Sequence, residues 1–148
     1  IKMTAPTEHK RKIAESIEEI QNALDIGWER RIQTIGFHTS SGSVNLLELY
    51  LHVTKRITAG KRIQHNWFKR PQSGQKRTPL IERKIPVVFP RQEEIYQLMY
   101  DIEDVRDTII YGRCTKGLVD RAILAFQGIR TIIEEELGKM GENLDIEE

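Results

Sequence analysis

The sequence predicts an all-α fold, an up-and-down bundle of four to five helices with a long basic connection between its second and third principal helices. Three observations predict it. Apolar residues recur every three or four positions along most of the chain, glycines stand where those stripes stop, and Pro71, Pro79, Pro86 and Pro90 crowd into the one interval that lacks the period.

The first stripe is Ile13, Ile17, Ile20 and Leu24, one face of an amphipathic helix over residues 7–26 that Gly27 interrupts. Trp28, Ile32 and Ile35 begin a second, shorter stripe that is expected to stop at Gly36 and the cluster Thr39-Ser40-Ser41-Gly42-Ser43, which reads as a turn. Serines near Ser43 then cap a second principal helix, apolar on nearly all sides from Val44 to Val53, that should stop before Thr58-Ala59-Gly60. Residues 61–90 admit only short helical or extended pieces, expected around Ile63 to Phe68 and Ile85 to Phe89, because each proline lacks an amide donor and disfavours helix at the residue before it. Pro90 or Arg91 opens a third helix carrying Ile95, Leu98, Met99, Ile102, Val105 and Ile109, and Gly112 ends it. Thr115 caps the last helix, whose stripe runs from Leu118 to Leu137 and pairs antiparallel with the third, before an acidic and frayed tail at residues 139–148.

With 148 residues the chain is read as a single helical domain, 1–148, with core enough to fold without a staple. One cysteine, Cys114, rules out an internal disulfide and any multi-cysteine metal site. No apolar run reaches the ~18 residues that span a bilayer, and the opening Ile1-Lys2-Met3-Thr4-Ala5-Pro6 lacks the apolar region of a signal peptide, so no membrane contact and a cytoplasmic location are expected. The net charge of +1 conceals segregation. Residues 1–54 hold six basic against seven acidic side chains, 55–91 eleven against one, and 92–148 six against fourteen. Such a basic block either binds an anionic partner such as nucleic acid or is neutralised by the protein's own acidic helices.

The most informative string is Glu103-Asp104-Val105-Arg106-Asp107-Thr108-Ile109-Ile110-Tyr111-Gly112-Arg113. Arg106 borders the buried stripe, where it either pairs with Glu103 one turn earlier or presents a cation to phosphate in a groove. Tyr111 points about 140° away from Arg106 on a regular helix, so the two cooperate only if the helix breaks at Gly112 or a second protomer faces them. Otherwise its ring packs and its hydroxyl reaches solvent or Asp107. A long helix with Arg106-Asp107 near its C-terminal end, then a short apolar step and the polar ring of Tyr111, resembles the HEPN family of small helical-bundle proteins. In that family arginine, a polar residue and a histidine four to six positions on form the signature, and here Tyr111 takes the histidine's place. The resemblance implies a HEPN-like bundle, a homodimer, and an RNA- or nucleotide-binding protein with Arg106, Asp107 and Tyr111 at its site and no cofactor. It implies either a metal-independent endoribonuclease of toxin type or a catalytically inactive partner of a nucleotidyltransferase.

Lys61, Arg62, His65, Trp67, Lys69 and Arg70 interleave cations with rings, a mixture that suits RNA, and His65 can supply the proton chemistry a tyrosine of ordinary pKa ~10 lacks. The other reading is that Trp67 and Phe68 fasten a mobile segment to the core. Glu48 and His52, four apart, share a helical face with His38 near in sequence, but two ligands do not make a metal site and none is expected. Cys114 has neither a nearby histidine nor a glycine-serine elbow to activate it.

Overall fold

The computed structural model describes residues 5–58, 60–70 and 78–144, with the side chains of Ala5, Ile110 and Tyr111 outside that description. The fold is an all-α bundle of five helices, α1 (Ala5–Ile26), α2 (Ile32–Val53), the short α3 (Leu80–Lys84), α4 (Gln92–Tyr111) and α5 (Lys116–Gly138), and no strand occurs among the described residues. Among those residues no helix is long and apolar enough to cross a membrane.

Contacts between side chains give the directions. His9 meets Asn45 and Ser16 meets His38, so α1 and α2 are antiparallel. Arg91 meets Glu135 and Arg121 meets Asp101, so α4 and α5 are antiparallel as well. Gly36 approaches Ile109 and Gly42 approaches Phe126, which places α2 between α1 and the α4–α5 pair. Leu46, Leu47, Leu49 and Leu51 of α2 are all fully buried, as its apolar run requires.

The structure departs from the expected segmentation at Thr39–Ser43, which is helix interior: the short stripe at Trp28–Ile35 and the apolar run after Val44 belong to one 22-residue helix. Two local causes account for this. Thr39 Oγ1 donates to the Ile35 carbonyl at 2.8 Å and Ser43 Oγ to the Thr39 carbonyl at 2.6 Å, so hydroxyls that elsewhere compete with helix are satisfied within it. Gly42 is there for space, since a Cβ on it would lie 2.7 Å from Phe126 Cε1 and 3.0 Å from Ser16 Cβ. The interruption expected at Gly27 is where the chain reverses: its φ of 129° only glycine adopts readily, and a 3₁₀ turn at Trp28–Arg30 follows. In α1 the buried apolar residues are Ile13, Ile20 and Ala23, with His9 and Ser16 buried beside them, while Leu24 is 40% exposed.

α2 stops at Val53, before Thr58-Ala59-Gly60 as expected, and the residue that closes it is Lys55 in the left-handed conformation: Lys55 N–H donates to the His52 carbonyl and Arg56 N–H to the Leu51 carbonyl. A lysine in the role usually held by glycine left no mark in the sequence. Within the connection the pieces are a 3₁₀ turn at His65–Phe68, close to expectation, and α3, which starts directly after Pro79, ahead of the piece expected at Ile85 to Phe89. The polar tract Gln72–Arg77 lies outside the described residues, as do residues 145–148 of the acidic tail. Leu144, inside the stretch expected to fray, is buried in the core. Thr115 caps α5 as expected, its hydroxyl accepting from the Leu118 N–H, and Gly112 ends α4.

The two glycines of α2 separate steric from conformational effects. Alanine gains up to ~1 kcal/mol of helix propensity over glycine. At Gly36 the only side chain in the way is the flexible end of Ile109, so Gly36→Ala should be neutral or mildly stabilising. At Gly42 a ring and a Cβ close in from two helices, and Gly42→Ala should lose about 1–3 kcal/mol. Urea denaturation would show a lowered midpoint with unchanged slope for Gly42→Ala; equal stability of the two variants would refute the packing argument.

Candidate functional site

A groove of about 740 Å³ runs between α1, α2 and residues 61–64, and Arg106 of α4 reaches its wall. It is lined by all four histidines of the chain, His9, His38, His52 and His65, and by the cations of Arg11, Lys12, Lys61, Arg62 and Arg106. Three glutamates, Glu8, Glu15 and Glu48, balance part of that charge. The lining follows from helical spacing: His38, Ser41, Asn45, Glu48 and His52 stand in steps of three and four along α2, a polar stripe on a helix otherwise buried among apolar groups.

At one wall, His65 Nδ1 lies 2.9 Å from Glu103 Oε2 and 3.1 Å from Oε1. Glu103 is only 2% exposed, and a carboxylate so buried requires a hydrogen-bonded partner. It can only accept when ionised, so it fixes His65 as the tautomer with hydrogen on Nδ1 and leaves Nε2 as the basic nitrogen, the arrangement by which a carboxylate orients a catalytic imidazole. Arg106 follows Glu103 by three positions on α4, so the two stand on one helical face. The ion pair between Arg106 and Glu103 that helix spacing allowed does not form. The guanidinium instead lies over the Phe37 ring, 5.8 Å from its centroid, with no carboxylate in ion-pair distance among the described residues. Phe37 itself is 53% exposed.

The other predicted residues divide. Lys61, Arg62 and His65 line the groove. Lys69 and Arg70 turn to α4, with Lys69 Nζ 3.8 Å from Asp107 and Arg70 bound to Asp101 at 2.6 Å and Asp104 at 2.8 Å. Asp107 is thereby occupied by Lys69. The Trp67 ring packs on the core with Lys61 and Lys84 each 6.0 Å from its centroid, and Phe68, 1% exposed, meets Tyr96 edge to face. The Tyr111 side chain lies outside the described residues. Burial raises the thiol pKa of Cys114, which disfavours the thiolate that nucleophilic chemistry needs.

At the opposite wall, one ligand atom each of His9, Glu48 and His52 lies within 4.8 Å of the others. Sequence reading found Glu48 and His52 but missed His9, which comes from another helix. The signals that were legible are the polar stripe on α2 and the matching His9, Lys12, Ser16 series on α1. His9 Nδ1 is 2.9 Å from Asn45 Oδ1, and Asn45 Nδ2 donates to the Ser41 carbonyl at 2.9 Å. That second bond fixes the amide, so His9 donates from Nδ1 and turns Nε2 toward Glu48 Oε2, 3.7 Å away. The His9 and His52 rings stack with centroids 5.2 Å apart. His52 is held below its usual pKa by burial and then by His9, which favours the neutral imidazole.

Protein-family models, curated proteins and solved structures were each compared with this chain, and none matches.

Burial is the largest influence on Glu48 and raises its pKa above 4.5, against the lowering influence of His9, the Ile63 main chain, Arg62 and Lys12. The folded state thus favours the protonated carboxyl. Glu48 supports folding below its unfolded value near 4.5 and withdraws that support as the pH rises through the folded value. Glu48→Gln should therefore gain stability relative to wild type between pH 4 and pH 7, measured by urea denaturation in the presence of a chelator. A difference that stays constant across that range would contradict this account.

Proposed function

We propose that this chain is an RNA-directed protein that holds phosphate in the groove between α1, α2 and residues 61–65 and cleaves the strand there without a metal. The observation that carries the reading is the His65–Glu103 pair opening on a groove that Arg106 also lines. A base and a cation suffice for RNA because the 2′-hydroxyl is a nucleophile already in place, whereas DNA would require an activated water. His65 Nε2 takes the 2′-hydroxyl proton, O2′ attacks phosphorus, Arg106 stabilises the added charge, and the 5′-oxygen leaves with a proton from solvent. Lys61 and Arg62 engage neighbouring phosphates, and the exposed Phe37 ring offers a base a face to stack on. The resemblance of the Arg106 string to HEPN ribonucleases agrees in substrate class, with His65 taking the proton role that falls to the motif histidine there.

A second reading is a non-enzymatic module that docks a nucleotidyltransferase or a second copy of itself. Its support is the exposure of the large apolar side chains Leu24 and Ile26 at the end of α1 and of Phe37 on α2. RNA cleavage by the isolated chain would count against it.

The test is cleavage of a labelled single-stranded RNA in EDTA. Wild type should yield a 2′,3′-cyclic phosphate, bind the all-deoxy analogue without cutting it, and bind more weakly as salt rises. His65→Ala should lower the rate ~10²–10⁴-fold and Arg106→Ala ~10²–10³-fold. Arg91→Ala should leave both binding and rate unchanged, because Arg91 is paired with Glu94 and Glu135 and does not line the groove. Absence of both cleavage and salt-dependent RNA binding would overturn the proposal.

A further inference from the structure

We infer that His9, Glu48 and His52 form a binding site for a single divalent transition-metal ion of the zinc type, separate from the His65–Glu103 pair and independent of the RNA reading. Two imidazoles and a carboxylate are the donor set of zinc sites with three protein ligands, and nitrogen donors select zinc, copper or nickel over calcium and magnesium.

The hydrogen bonds around the cluster set it apart from a chance grouping. Asn45, itself fixed by the Ser41 carbonyl, takes the Nδ1 hydrogen of His9 and leaves a lone pair on Nε2 facing the Glu48 carboxylate across 3.7 Å. Two acceptors facing each other in a place where His9 and Glu48 are 8% and 7% exposed call for a positive species between them, a proton or a metal ion. His52, whose ring also engages the main chain of Lys61, adds a third donor. A histidine ligand ordinarily has its remaining ring nitrogen held by a carbonyl, amide or carboxylate, and both histidines meet that condition.

The dimensions suit the ion. Metal–ligand bonds of ~2.0–2.2 Å in a tetrahedron put neighbouring ligand atoms about 3.4 Å apart, close to the 3.7 Å between His9 Nε2 and Glu48 Oε2. The widest separation in the cluster is at most 4.8 Å, within reach of one ion after side-chain adjustment alone. With three protein ligands, the fourth position faces the groove, where a water or an anionic oxygen can occupy it.

The experiment titrates chelator-treated protein with Co²⁺ and then displaces it with Zn²⁺. One equivalent should bind, with the visible absorption of a four-coordinate cobalt site that zinc abolishes. His9→Ala and His52→Ala should lose that spectrum, Glu48→Gln should weaken binding at least tenfold, and Asn45→Ala should weaken it ~10–100-fold by freeing the His9 ring. Circular dichroism of each variant separates loss of the site from loss of the fold, and the isosteric Glu48→Gln keeps the test open if an alanine variant does not fold. No stoichiometric binding by wild type, or binding undiminished in folded His9→Ala and His52→Ala, would overturn the inference. Its failure would leave RNA cleavage in EDTA unaffected, and failure of that cleavage would leave the cobalt spectrum unaffected.

Discussion

Polar side chains inside a protein must be hydrogen-bonded or kept in reach of water, and α2 meets that constraint along its whole length. One side supplies leucines to the core; the other carries His38, Ser41, Asn45, Glu48 and His52. A helix with both faces needs a partner that covers the polar one without sealing it in hydrocarbon. α1 provides this by placing His9 and Ser16 against Asn45 and His38, and residues 61–64 close the remaining side. The groove is therefore a direct consequence of how the most buried helix disposes of its polar stripe.

Electrostatics divides the connection in the same economical way. Lys69 and Arg70 face α4, the acidic helix, where Arg70 bridges Asp101 and Asp104 and Arg121 joins them from α5. Pairs this exposed contribute roughly 0–1 kcal/mol each, so their effect is on placement more than on stability. They hold the 3₁₀ turn that carries His65 over Glu103. Of the two readings that the charge segregation allowed, self-neutralisation describes Lys69 and Arg70, while Lys61 and Arg62 border the groove together with Arg106.

The all-α class, the pairing of α4 with α5, the Thr115 cap and the break at Gly112 were legible because each depends on a local signal: period, cap or glycine. What was not legible depends on tertiary contact. Gly42 reads as a turn residue until Phe126 is seen against it, and Lys55 ends a helix without the usual glycine. Arg106 and His65 were singled out from sequence, but Glu103 figured only as a partner for Arg106. Its union with His65 spans 38 positions, and no helical periodicity reaches that far. The meeting of His9 with Glu48 was hidden for the same reason, since 39 positions and a change of helix separate them, although the polar series that carries His9 is visible on α1.

Glu103 and Arg106 ride on a single rigid turn of α4, and the segment bearing His65 is clamped to that helix through Arg70. The other bank of the groove belongs to α1, which rests on α2 and is joined to it through Gly27. The imidazole, carboxylate and guanidinium therefore all sit on one bank, and their mutual spacing is set by α4 and the segment clamped to it, without any contribution from α1.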